Sequence, residues 1–431
     1  MKRTAAAALM LLFLLAACSP APEASPTPIA APTPSPAPEP APTQLASSPW
    51  LEDYNYFWDV IEENYPLYHA VRRITGNDLT EVRERYLPQA QEAQTSWQLY
   101  LILRDINKAF QGSGHFSVLE RDYYRSYWSL LGPLQDNPKF RWICGQLANP
   151  NSMDFYGYYP PDEWLAQAAS PPDSAQSKSA LGIENPSSNL SFADYPEYGA
   201  GYVKVYSMGD IEQCADPLAA FFSELEAQGY DNCIIDIRGN GGGSDMFWRS
   251  NLVCPNLSEA AFCQLYALIR GPMALDYFTA AFDGSDLALL SIEELPVDKL
   301  PALDPKDLAD ATHFVIYNSI LYPALDRPLF TGRFWLLVDE GVYSSSEKFS
   351  LFCKQTGFAT LMGETTGGDG VGIDPMLVSL PDSGIVFRFT GEEGLNPDGS
   401  CNEEYGTTPD IVIEDGQDAL TVCLEAISAE K

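Results

Sequence analysis

The sequence predicts an α/β fold preceded by a helical region. Three observations carry that expectation. From Gly199 onward, apolar strand-like runs alternate with amphipathic stretches, the ordering of a sheet layered with helices. Two of the runs, Asn232-Cys-Ile-Ile-Asp-Ile237 and Phe334-Trp-Leu-Leu-Val338, are apolar almost throughout and read as buried strands. Between Pro49 and about Phe110, apolar residues instead recur at spacings of three and four, which mark one face of a helix.

The chain begins with an address. Met1-Lys2-Arg3 is cationic, and Ala5 to Ala17 is an apolar run of 13 residues. A spanning helix needs about 20, so residues 1–17 read as a secretory signal peptide. The run ends Leu15-Ala16-Ala17-Cys18, which resembles the lipobox of bacterial lipoproteins. That resemblance implies lipidation at Cys18. Residues 18–48 follow as a tether, with ten prolines between Pro20 and Pro42. Such a segment cannot bury a core and samples extended polyproline II. At about 3.1 Å per residue, about 25 residues reach roughly 80 Å. The expectation is an exported protein, lipid-anchored on the extracytoplasmic face of the cell membrane.

Residues 49–119 form the helical region. Leu51, Tyr54, Trp58 and Ile61 outline one face, with Phe57 beside it; Leu99, Leu103, Ile106 and Phe110 outline another. Both faces read as packing surface. A glycine-broken loop, Gln111-Gly-Ser-Gly-His115, then runs into a short strand. Residues 120–198 are rich in aromatics, then in Pro and Ser from Ser170 to Ser191; they read as a variable insert. Residues 199–431 form the α/β core. Its strands are expected at 201–206, 232–237, 334–338 and 359–362, and its helices at 217–228, closed by Gly229, and 345–354.

Composition excludes several classes. With 25 basic and 59 acidic residues the net charge is −34, without the basic footprint that nucleic-acid binding requires. Anionic headgroups would repel such a chain, so the lipid and not charge must hold it to a membrane. The three histidines and nine cysteines form no HExxH or CxxC pattern, and GxxxxGK[ST] is absent; neither a metal site nor a phosphate loop is expected. No cofactor is implied. Eight cysteines remain after Cys18, of which Cys233 and Cys353 read as buried free thiols. The pairing of the others is open.

Two glycine turns carry the candidate chemistry. Strand 232–237 runs into Arg238-Gly-Asn-Gly-Gly-Gly-Ser244. Glycines past a buried strand let backbone N–H groups close on an anion, as an oxyanion hole requires. The second turn is Val338-Asp-Glu-Gly-Val-Tyr-Ser-Ser-Ser-Glu347, where serines open a helix after a strand. A serine there is exposed at the positive end of a helix dipole. Ser344-x-x-Glu347 is equally a capping box, which needs no chemistry. A serine nucleophile needs a base. His69 and His313 sit in segments that read as structural, and His115 sits in a loop able to project into a cleft.

Together these pieces resemble the carboxyl-terminal processing, or tail-specific, serine protease family, including its branch related to the tricorn protease core. Asp236-Ile-Arg-Gly-Asn-Gly-Gly-Gly243 is similar to that family's strand-turn motif. Tyr343-Ser-Ser-Ser-Glu347 with Ala359-Thr-Leu-Met-Gly-Glu-Thr-Thr366 is similar to its nucleophile helix and next strand. Gly406-Thr-Thr-Pro-Asp410 is similar to its late Gly-x-x-Pro-Asp motif. The resemblance covers roughly residues 95–120 and 199–415. It implies a crotonase/ClpP-like spiral of ββα units, and a peptide or protein substrate. It also implies Ser344 as nucleophile, with Ser345 and Ser346 as fallbacks, and an oxyanion hole from the N–H groups of Ser345 and of Gly241 or Gly242.

The chain departs from the family twice. Many members place a lysine 25 residues after the serine; here that position is Asp369. The tricorn-like branch uses a histidine and a glutamate instead, which implies His115 as base and Glu403 as its orienting carboxylate. Glu404 is adjacent, and Asp369 is a third candidate. A PDZ domain is not recognised between His115 and Gly199. The reading is thus a membrane-anchored serine endopeptidase with a Ser-His-Glu triad. A histidine base, unperturbed near about 6.5, predicts activity that falls below roughly pH 6. The alternative is an inactive peptide-binding lipoprotein on the same scaffold. A carbohydrate-active enzyme is the residual reading, but plentiful carboxylates do not identify a pair roughly 5–10 Å apart.

Overall fold

The computed structural model describes residues 48–158, 187–282 and 289–430, with the backbone alone at 177–178 and 184–185. The signal peptide, Cys18, the tether before Ser48 and most of the Pro/Ser-rich stretch lie outside the described residues. Among the described residues no helix is long and apolar enough to cross a membrane.

The fold is α/β with a helical N-terminal region. Its centre is a six-stranded sheet in the order Ile411–Val412, Ala359–Gly363, Arg333–Val338, Asn232–Asp236, Ala200–Val205, Leu190–Tyr195. The first five strands are parallel neighbours, and the sixth pairs antiparallel at the edge. Leu336 stands opposite Ile235, and Leu337 opposite Asp236. Every residue of Asn232–Asp236 is buried, because both faces of the sheet are covered. One face packs against helices Ile211–Gln228 and Ser345–Thr356, and the other against the C-terminal helix Ala419–Ala429. The near-continuous apolar strands follow from that double cover.

Two antiparallel sheets flank the centre. One has the order Glu392–Leu395, Ala261–Ile269, His313–Leu321, Leu289–Ser291; the other is Ser117–Val118, Val386–Phe389, Met376–Ser379. The second is where the N-terminal region joins the core, since Ser117 pairs with Arg388 and Val118 with Phe387.

The N-terminal helices form as their caps and faces dictate. Ser48 caps helix Pro49–Asn64 through its hydroxyl, which accepts from Leu51 N–H at 3.2 Å, and Pro49 takes the first turn where no N–H partner is needed. Tyr54, Phe57, Trp58 and Ile61 are all buried, as are Leu99, Leu103, Ile106 and Phe110. Leu51, expected on the first face, is only partly buried.

Helix Ile211–Gln228 starts six residues before the expected Pro217, which sits inside the helix, and it ends at Gly229 with φ 71°. The expected insert contains three helices, Arg121–Leu131, Pro138–Leu147 and Pro150–Tyr156. All eight cysteines from Cys144 to Cys423 are free, and all but Cys254 are buried.

Candidate active site

Three loops converge on one cleft. Strand Arg333–Val338 delivers the turn that ends at Ser344. The loop after Ala359–Gly363 delivers Asp369. The Gly112–Gly114 loop delivers His115, held from behind by buried Phe116 and by Thr390 N–H, which donates to Gly114 O at 2.7 Å.

The capping-box reading of Ser344 does not hold. Its side chain makes no cap hydrogen bond. Glu347 is fully buried and turned away, accepting from Asn402 Nδ2 at 2.8 Å and from Thr407 Oγ1 at 2.5 Å. Ser344 Oγ instead lies 3.3 Å from His115 Nε2. Ser346, a fallback nucleophile, is fully buried, and its hydroxyl donates to Asn240 Oδ1 at 2.7 Å. Ser345 is buried at the first helical position.

The backbone is strained where the chemistry would be. Only five non-glycine residues among those described have positive φ. Three of them are His115 (57°), Ser344 (58°) and Asp369 (53°). Such conformations cost on the order of 1–3 kcal/mol each and persist where the surroundings over-determine them, most often at functional sites.

The carboxylates are arranged differently from the expectation. Asp369 Oδ2 lies 3.1 Å from His115 Nε2, with its side chain 6 % exposed. Glu403 does not reach the ring. Its Oε1 accepts from Gly114 N–H at 2.9 Å, and its Oε2 accepts from the Tyr343 hydroxyl at 3.0 Å. Tyr343 in turn stands edge-on to the His115 ring, with centroids 5.1 Å apart. Glu403 therefore holds the histidine loop, not the imidazole. Glu404 is further removed. It accepts from Arg73 Nε at 2.7 Å, and Arg73 also donates to Asp307 at 2.6 Å.

Burial dominates the electrostatics. It pushes the Asp369 carboxyl up to about 7. It pushes the His115 imidazole down to about 4, with Arg388 adding to the effect. Burial, and then the neighbouring Asp369, also raise Glu403 well above the carboxylate range. Each member of the group thus favours its neutral form.

The glycine turn lies against Ser344. A Cβ on Gly242 would stand 2.8 Å from Tyr343 O, 2.9 Å from Ser344 Cβ and 3.0 Å from Ser345 N. The Gly242 N–H, one expected oxyanion donor, is given to Asn240 Oδ1 at 3.0 Å. Gly241 does not line the cleft; Gly243, Ser344 and Ser345 do. As the first residue of its helix, Ser345 has an N–H with no intrahelical acceptor. His69 and His313 lie elsewhere, bonded to Asp310 and Thr312. Among the described residues no group of His, Cys, Asp and Glu is suited to hold a metal ion.

The sequence reading did not single out Tyr343, Gly243 or the helices that wall the cleft. The signal for one of those helices is present: Asn137-Pro138 is an N-cap followed by a first-turn proline.

A family model described as peptidase family S41 matches residues 199–262 and 284–413. A solved structure of a candidate peptidase from Parabacteroides merdae is similar in fold, with a TM-score of 0.53 at 18 % identity. The alignment covers 90 % of this chain and 98 % of that one. The photosystem II D1 C-terminal processing protease is more distant, with a TM-score of 0.41 at 16 % identity over 88 % of this chain and 97 % of that one. So is mature CPAF complexed with lactacystin, at 0.49 and 12 % identity over 88 % and 96 %. No curated protein sequence matches the chain.

Proposed function

We propose that this chain, whose residues 199–262 and 284–413 match the model of peptidase family S41, is an exported, lipid-anchored serine endopeptidase that works through Ser344 and His115. The family match supports serine peptidase chemistry; the residue roles, the lipid at Cys18 and the extracytoplasmic location are our reading. One observation carries it. Ser344 Oγ is spared from capping its helix and lies 3.3 Å from His115 Nε2.

In this reading Ser344 Oγ attacks the substrate carbonyl carbon while His115 Nε2 takes the hydroxyl proton. The carbonyl oxygen becomes an oxyanion facing the Ser345 N–H at the helix start, together with N–H groups of the glycine turn around Gly243. The imidazolium returns its proton to the leaving amine as the C–N bond breaks. Water then repeats the sequence on the acyl-serine, again through His115, and frees the acid.

Glu403 acts as a positioning residue through Gly114 N–H and the Tyr343 hydroxyl. Asp369 sets when Nε2 is free. Protonated, its carboxyl donates to Nε2 and blocks it. Ionised, it leaves the lone pair available and then stabilises the imidazolium. The lipobox resemblance at Cys18 and the proline-rich tether support an anchored enzyme acting at a distance from the membrane.

The contact between Asp369 and Nε2 also favours a second reading, a peptide-binding protein whose histidine is permanently engaged. Fluorophosphonate labelling of the chain from Ser47, with peptide mapping, separates the two. Labelling at Ser344 that is lost in His115→Ala supports the peptidase mechanism. Absence of labelling in a folded, monodisperse sample overturns it in favour of binding alone.

A further inference from the structure

The cleft over Ser344 has a volume of about 780 Å³, and His115, Ser344 and Asp369 are among the residues that line it. One wall of it is made by helices Arg121–Leu131 and Pro138–Leu147 and the turn between them, which present Tyr127, Leu130, Leu134 and Phe140. Leu130 is 69 % exposed and Leu134 is 42 % exposed; Met246, which also lines the cleft, is 56 % exposed. A single exposed apolar side chain is ordinary. Three that converge on one concave site, continuous with a nucleophile, are a surface waiting to be covered. Covering it is worth about 25 cal/mol per Å² of apolar area removed from water.

The cations of the cleft are already engaged. Lys348 Nζ donates to Asp245 at 3.0 Å and to Gly372 O at 2.8 Å. Arg388 donates to Ser117 Oγ at 3.0 Å and to the Tyr127 hydroxyl at 2.9 Å. Lys139 pairs with Asp374 at 3.1 Å. Among the described residues, no cation lining this cleft is left over for a substrate carboxylate, whether a side chain or a free C-terminus. The net charge of −34 further disfavours acidic peptides.

We propose that this wall is the subsite for a bulky apolar side chain, of the Leu, Phe or Met class, in an internal peptide segment, and that Leu130 and Leu134 determine that specificity. The inference rests on the peptidase reading and names its substrate class. The helices hold the wall rigid, because Tyr124, Trp128 and Ile143 on their inner faces are buried in the core. A substrate therefore meets a preformed surface.

The test uses end-blocked, internally quenched peptides that differ at one position, with Phe, Asp or Lys beside the scissile bond. The wild-type chain should cleave the Phe peptide at least about tenfold faster in kcat/KM than the Asp or Lys peptide, the scale that apolar pockets reach. Leu130→Asp places a carboxylate on an exposed position. It should lower the Phe-to-Lys ratio by about tenfold or more, with cleavage of the Lys peptide rising, a gain that misfolding cannot imitate. Equal rates on all three peptides overturn the proposal, as does Ser344 labelling without cleavage of the Phe peptide. Absence of fluorophosphonate labelling in the wild type overturns the peptidase reading beneath it.

Discussion

Asp369 Oδ2 stands 3.1 Å from His115 Nε2, the nitrogen that also faces Ser344 Oγ at 3.3 Å. One nitrogen thus has two claimants. Burial raises Asp369 to about 7 and, with Arg388, lowers His115 to about 4. Between those limits the pair carries one proton, held between Oδ2 and Nε2. Nε2 cannot then accept from Ser344. Labelling of Ser344 should accordingly rise as pH passes about 7, above the roughly pH 6 limb of an unperturbed imidazole. Asp369→Gly suits the φ of 53° and removes the competing carboxyl, so the limb should move toward about 4. Asp369→Asn keeps a donor on Nε2 at every pH and should label slowly throughout. An unmoved limb in Asp369→Gly would show that Asp369 does not gate the base.

Glu403 offers a second discrimination. A carboxylate that stabilises an imidazolium by charge cannot be replaced by an amide; one that only accepts hydrogen bonds can. Burial and the nearby Asp369 hold Glu403 toward its neutral form, and its partners are a backbone N–H and a phenol. Glu403→Gln should therefore keep Ser344 labelling within about threefold, while Glu403→Ala should lower it at least about tenfold, by releasing the His115 loop. Tyr343→Phe should fall between them and move the acid limb, which a purely structural lesion would not do. Glu404→Gln should instead leave labelling intact and cost about 1–2 kcal/mol of stability, since it breaks a partly buried contact with Arg73. Loss of labelling in Glu403→Gln would restore the charge role to Glu403.

These distinctions mark where sequence reasoning ran out. The strands at 232–236 and 333–338 are legible because a sheet covered on both faces must be apolar along its length. His115 and Ser344 are legible because each sits in a short, recognisable turn. The direction of a side chain from such a turn is not legible. Glu403 and Glu404 are neighbours in sequence, yet one side chain meets Tyr343 and the other Arg73. The long antiparallel pair of Ala261–Ile269 with His313–Leu321 joins segments about fifty residues apart, so no local pattern announces it.

Stability should depend on pH in an unusual direction. Burial raises Asp53, Asp307, Glu347, Asp369, Glu392, Glu393 and Glu403 in the fold. A carboxyl raised in the folded state holds a proton that the unfolded chain has released. Its stabilising contribution is full below the unfolded carboxyl range and is lost as pH climbs through the folded value. Asp236, Asp245 and Asp418 run the other way: burial pushes them up, but Arg238 and Lys348 outweigh it. His115, lowered to about 4, also loses stability as pH falls through its range. The raised group is the larger, and the net charge of −34 adds self-repulsion at high pH. Calorimetry should give a higher Tm at about pH 5.5 than at about pH 8. A Tm that rises with pH would mean that these carboxyls are ionised in the fold.

Gly242 ties the glycine turn to Ser344. Its φ of 103° is open to glycine but not to an L-side chain without strain. A Cβ there would meet Tyr343 O at 2.8 Å, Ser344 Cβ at 2.9 Å and Ser345 N at 3.0 Å. Two of those neighbours are backbone atoms at the start of a buried helix, so they cannot rotate aside. Gly242→Ala must therefore push the 241–243 turn away from Ser344 or move Ser344 itself. Either shift separates Ser344 from the N–H groups proposed as its oxyanion donors, an arrangement worth roughly a hundredfold or more in rate. The lesion is local, because the sheet strand before the turn ends at Asp236. Ser344 labelling in Gly242→Ala should fall by about that factor while far-UV circular dichroism stays unchanged. Gly241→Ala, where a Cβ would meet nothing within 4 Å, is the matched control and should label within about threefold of wild type. Equal losses in the two variants would mean that the turn needs mobility, and that its close packing on Ser344 is not what the reaction uses.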